Sequence, residues 1–169
     1  FPLPGWGQMV KFLTSIITLT YAIAPISLLA LRKQLPEQKR AFRLPIAHIW
    51  CYIAFTLCTL FAYWSGWDIL SKLDICIAAG LIFLLIYKLV SKDARALKWH
   101  ARESIWLWLY IIGLMLISYA GNYAGHDMFS ESTIFIIILV FCAVIMCIAQ
   151  WCRLPIEQTQ HLYKETLEI

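Results

Sequence analysis

The stretch FLTSIITLTYAIAPISLLAL, residues 12–31, runs for twenty residues without a charge before Arg32 and Lys33 stop it. At about 1.5 Å of rise per residue, a helix of that length crosses a hydrocarbon core of roughly 30 Å. Three further runs without Asp, Glu, Lys or Arg are at least as long: Leu44 to Trp67, Ser104 to Gly125 and Ser132 to Cys152. A fifth, over about 70–90, has an apolar centre from Ile75 to Tyr87, with Lys72 and Asp74 at one end and Lys88 at the other. Charges at helix ends can reach the headgroup layer. With 62% of residues hydrophobic, 14% charged and a mean hydropathy of +0.73, the 169-residue chain carries more apolar surface than a soluble domain can hide. The predicted fold is all-α. It is a single membrane domain over 1–169, with transmembrane helices at about 10–32, 45–66, 70–90, 104–124 and 132–152 and a short polar tail over 153–169.

The basic residues fall on alternate connections. Arg32, Lys33, Lys39, Arg40 and Arg43 lie between the first two spans, and Lys88, Lys92, Arg95, Lys98 and Arg102 follow the third. The connection 65–71 has only Lys72 at its edge, and 126–131 has neither Lys nor Arg. The positive-inside rule then predicts a chain that starts outside, crosses five times and ends in the cytoplasm with Arg153 and Lys164. Deleting the third span would put the two basic connections on opposite sides, so the alternation supports it. Trp and Tyr favour the interface, and Trp6, Tyr63, Trp64, Trp67 and Tyr123 mark the predicted outer level, Trp50, Trp99 and Trp151 the inner. The net charge of +4 lies beside the spans, where the lipid bilayer is the expected partner; no nucleic-acid partner is expected.

Within the first span, Thr14, Thr18 and Tyr21 fall at i, i+4 and i+7 and share one helical face. Two readings of that face stay open: it lines a polar path, or its threonines bond back to carbonyls one turn earlier. Pro25 lacks an N–H and is expected to kink this helix. His48, near one end of the second span, reads as an interfacial anchor. Asp74 is the acid closest to an apolar centre; it reads as a proton-linked group, a partner of Lys72 or a cap of the helix start. Gly121 and Gly125 have the small-x-x-x-small spacing of close helix packing at the end of the fourth span. The fifth span, almost wholly aliphatic, reads as a peripheral, lipid-facing helix. The six cysteines have no C-x-x-C spacing and read as small packing or lipid-facing residues. No metal, cofactor or catalytic motif is found, and no enzyme is expected. Residue 1 is Phe, and the sequence reads as processed or as part of a longer chain.

From Gly5-Trp6-Gly7 through Thr18-Leu19-Thr20-Tyr21-Ala22-Ile23-Ala24-Pro25 to Leu31-Arg32-Lys33, then Leu35-Pro36 and Phe42-Arg43-Leu44-Pro45, the sequence resembles bacterial amino-acid permeases. The resemblance is to the amino acid-polyamine-organocation superfamily, closest to its aspartate–proton symporter type. It covers roughly the first 45 residues, with a looser likeness over Gly113 to Gly125. Ala41 departs from it, where such loops often carry proline. It implies that the first span is the tenth helix of a fourteen-helix transporter, and that the five spans are its C-terminal part in the bacterial inner membrane. The substrate site of such permeases is built from their broken first and sixth helices, which this sequence does not contain. The resemblance therefore implies that the chain does not transport alone, that an amino-acid substrate binds only the complete transporter, and that the partners here are the N-terminal helices of the same permease. Thr14, Thr18 and Tyr21 would flank the substrate path. A self-contained membrane scaffold or accessory subunit is the alternative.

Overall fold

The computed structural model describes residues 5–36, 44–90, 101–156 and 159–160. Lys39, Arg40, Ala41, Arg43, Lys92, Arg95, Lys98, Trp99, His100 and the tail from residue 161 lie outside them, as does the Arg102 side chain. Five helices follow in order: α1 (Trp6–Gln34), α2 (Ala47–Trp64), α3 (Trp67–Val90), α4 (Ala101–Ala120) and α5 (Glu131–Trp151). All five are long and apolar enough to cross a membrane.

Three boundaries differ from the sequence expectation of 10–32, 70–90 and 104–124. Helix α1 extends at both ends, because backbone hydrogen bonding does not stop where the apolar run does. Its 29 residues span about 44 Å, more than the hydrocarbon core. Helix α3 begins at Trp67 because Gly66, at φ +89°, turns the chain sharply and its carbonyl accepts the Ile69 and Leu70 N–H groups. A Cβ at Gly66 would stand 3.2 Å from the Tyr123 carbonyl oxygen.

The third difference removes the expected Gly121–Gly125 helix contact. Helix α4 stops at Ala120, and 121–125 bends back over its end. The carbonyls of Ser118, Tyr119 and Ala120 accept N–H groups from Gly121, His126 and Met128 at 3.3, 2.9 and 3.1 Å, which satisfies the last turn of the helix. Both glycines are needed for this cap. A Cβ at Gly121 would overlap the Tyr63 ring, and one at Gly125 would overlap the carbonyls of Gly121, Ser118 and Tyr119.

Helix α2 touches all four other helices and holds the centre, with Phe55, Thr59 and Ala62 fully buried. Helix α5 is not peripheral. Ile134, Ile138, Cys142, Ile145 and Ala149, spaced by four or three residues, form a buried seam against α4, α2 and α1. Lipid tails are as apolar as leucine, so uniform aliphatic composition does not separate a packed face from a lipid face. The helix with least burial is α3, held by Ile69, Leu70 and Leu73 in its first two turns. Of the cysteines, Cys51, Cys142 and Cys152 are buried, Cys76 and Cys147 exposed and Cys58 between.

The two ends of the bundle are closed differently. At the end holding Arg32, Lys33 and Arg153, Gln34 Nε2 donates to the Leu154 carbonyl at 2.8 Å and Arg32 Nη1 to the Leu44 carbonyl at 3.1 Å. Gln150 Nε2 reaches the Ile26 carbonyl at 3.4 Å, beside Pro25, which lies inside a continuous α1. At the other end the Trp67 N–H donates to the Tyr123 carbonyl at 3.0 Å and the Asn122 N–H to Tyr63 Oη at 3.2 Å. Successive helices therefore run antiparallel, with their ends gathered at two levels.

Candidate functional site

Among the described residues, the polar side chains within the spans include one anticipated group and one unanticipated. The anticipated one is the Thr14, Thr18 and Tyr21 face of α1. Its packed stripe is Ser15, Ala22, Ile26 and Leu29. The trio is rotated by roughly a quarter turn from that stripe, at about 100° per residue. Thr14 is exposed, Thr18 half-buried and Tyr21 65% exposed, so this face flanks the bundle instead of facing its core. Thr14 Oγ1 donates to the Val10 carbonyl and Thr20 Oγ1 to the Ile16 carbonyl, both at 2.9 Å. For Thr14 the back-bonded arrangement is the one present, and its oxygen keeps acceptor capacity toward anything that covers the face. Ser15, buried beside it, makes the same bond to Lys11 at 2.8 Å.

Asp74 stands half-buried two turns into α3. The helix starts at Trp67 with Asp68 in its first turn, so Asp74 does not cap it. Lys72, two positions earlier, points about 200° away around the helix and is not placed to pair with it. A groove walled by α1, α3 and α4 takes Leu73, Cys76 and Ile77 from α3, and Asp74 is not among its walls. His48 is exposed in the first turn of α2.

The unanticipated region is a polar seam near the middle of the bundle, where α2, α4 and α5 meet. Thr59, with no exposed surface, donates through Oγ1 to the Phe55 carbonyl at 2.9 Å. The Tyr110 hydroxyl lies 3.2 Å from the same Oγ1. A threonine hydroxyl has one proton, and it is spent on Phe55, so Tyr110 is the donor of this second bond. The Tyr110 ring stands 5.1 Å from Phe55 and stacks at 6.0 Å on Phe141, whose ring enters the space left by Gly113. Thr56 Oγ1 and Ser118 Oγ, also buried, have no hydrogen-bond partner among the described residues. A tyrosine in the middle of an apolar span, away from the interface its hydroxyl favours, is the sequence signal that could have found this seam. Its chemistry is that of a hydrogen-bonded clamp. Among the described residues no three His, Cys, Asp or Glu side chains gather as a metal-binding group.

No protein-family model matches the chain, and no solved structure does. It is 32% identical over 131 residues to the aspartate-proton symporter of Bacillus subtilis (strain 168), a match covering 75% of this chain and 24% of that protein. To the glutamate/serine transporter AimA of the same organism it is 24% identical over 118 residues, or 70% of this chain and 22% of that transporter. The chain thus spans about a quarter of the length of these relatives, which are transporters and not enzymes. With five helices able to cross a bilayer and this similarity, the chain is a multi-pass membrane protein distantly homologous to bacterial amino-acid transporters, the aspartate–proton symporter among them.

Proposed function

We propose that this chain is the C-terminal part of a proton-coupled amino-acid permease of a bacterial inner membrane, and that it does not transport alone. The observation that carries the reading is the similarity: it takes in three quarters of this chain and only about a quarter of a proton symporter. The polar groups of the bundle agree with a supporting role. Of the buried ones, Ser15, Gln34, Thr59 and Tyr110 bond to backbone or to one another, and the Thr14, Thr18 and Tyr21 face flanks the packed stripe of α1. In a complete permease that face borders the substrate path, with Tyr21, 65% exposed, offering its hydroxyl there. Asp74 is the candidate proton-linked group, and the N-terminal end of the chain is outside. Alternating access needs two repeats moving about a site at the midplane, and a five-helix bundle with a packed centre supplies no such pair.

The test is uptake of labelled aspartate into proteoliposomes under an imposed proton gradient. One set holds this chain and the other the permease with its preceding helices. Uptake is expected only in the second set, and there Tyr21→Phe should raise KM by about tenfold if its hydroxyl meets the substrate path. Uptake by this chain above that of empty vesicles overturns the reading. A scaffold or accessory subunit would instead be indicated by a stable five-helix product whose gene has no permease sequence upstream.

A further inference from the structure

The end of the bundle where α2 turns into α3 carries Asp68, Asp127 and Glu131, and the connections 65–71 and 126–131 hold neither Lys nor Arg. At this end a groove of about 530 Å³ runs between the last turn of α2 and the first turns of α5, with Leu60, Tyr63, Trp64, Tyr123, Glu131 and Phe135 among its walls. Its character changes along its length. Trp64, Tyr123 and Glu131 stand at the helix ends, where a bilayer gives way to water. Leu60 and Phe135, a turn further in, stand at hydrocarbon depth. Trp64 and Tyr123 are 47% and 41% exposed, and Glu131 is exposed. Tyr63 lies buried beneath, set edge-on to Tyr123 with ring centres 5.4 Å apart at 82°.

Aromatic faces present negative potential, and here they stand with a carboxylate in a neighbourhood free of basic residues over both connections. The rim is therefore suited to a cation and hostile to an anion. A bare metal ion would find one carboxylate and a largely apolar wall, too few oxygen ligands for a hard cation. An alkylammonium meets both halves, since its charge is attracted by ring faces and carboxylate alike and its carbon chain needs the apolar wall. The groove is open at the side of the bundle, so from a surrounding bilayer a lipid can enter it with head at the rim and chain along Leu60 and Phe135.

We propose that this groove holds a phospholipid with an ammonium headgroup, its nitrogen over Trp64 and Tyr123 and against Glu131. The binding stands independently of the transport reading, because every residue it uses is in this chain. An anionic lipid without an amine would bring its phosphate toward Glu131 with nothing to offset the repulsion.

The test is native mass spectrometry of the protein purified in mild detergent from its own membrane, at the length at which it is made. Phosphatidylethanolamine and phosphatidylglycerol are titrated separately. Wild type should retain the ethanolamine lipid more tightly. Glu131→Gln and Trp64→Leu should each weaken it by about threefold and together by about tenfold, without altering retention of the glycerol lipid. Both residues are exposed, so both variants should keep the wild-type melting temperature in lipid-free detergent. Equal retention of the two lipids overturns the proposal, as does unchanged ethanolamine-lipid binding in the double variant. Displacement of the bound lipid by millimolar ethylamine overturns the choice of a lipid over a soluble amine.

Discussion

Thr59 and Tyr110 define a direction: tyrosine to threonine to the Phe55 carbonyl. That direction makes the two partners unequal. Tyr110→Phe removes a donor and leaves Thr59 bonded to Phe55, so the cost is one hydrogen bond, about 0.5–1.5 kcal/mol. Thr59→Val keeps the shape but strands the Tyr110 hydroxyl, which has no other hydrogen bond among the described residues, at about 1–3 kcal/mol. Denaturation in detergent should therefore rank Thr59→Val as the more destabilising, and the reverse order contradicts the assigned direction. Neither member of this pair stands out by spacing alone. Thr59 is a polar residue within an apolar span; its meeting with Tyr110, fifty-one residues on, depends on how three helices pack, which periodicity within one helix does not encode. The same limit governs Thr14, Thr18 and Tyr21. Their shared face followed from spacing, but its position beside the core, not in it, followed from which stripe of α1 packs.

Among the elements, α5 gives the sharpest contrast between composition and place. Ile138 has no exposed surface while Val140, two positions on, is 59% exposed. Ile138→Ala should cost about 2–5 kcal/mol through the cavity it leaves, and Val140→Ala less than about 0.5 kcal/mol, measured as the shift in unfolding free energy in detergent. Equal effects would return α5 to the lipid-facing place that its aliphatic sequence suggests. Helix existence was legible throughout, because lipid-crossing length and lack of charge are properties of each segment alone. Boundaries were less so. The apolar run of α4 continues to Gly125, but the helix ends at Ala120 because Tyr63 occupies the side of Gly121 and the chain folds back to cap its own carbonyls. The deciding residue belongs to another helix.

For the whole molecule, the alternation of charge gives an orientation, with Arg32, Lys33 and Arg153 at the end expected in the cytoplasm and Asp127 and Glu131 outside. A reporter enzyme active only outside the cytoplasm, fused after residue 128, should be active, and fusions after residues 36 or 160 should be silent. Activity after 36 and silence after 128 would invert the bundle. What a sequence of this kind conveys at molecular scale is the number of crossings, and their sense is the expectation that these fusions test. It does not convey which helix occupies the centre, since α2, with its modest hydropathy and its Thr56 and Thr59, packs against all the others.

The bond from the Trp67 N–H to the Tyr123 carbonyl links a turn made early in synthesis to a segment made much later. The α2–α3 hairpin precedes α4 in the chain, and it is the surface against which residues 121–125 close. A chain cut between α3 and α4 and produced as two pieces should close the end of α4 only where the piece that carries the hairpin is in the same membrane.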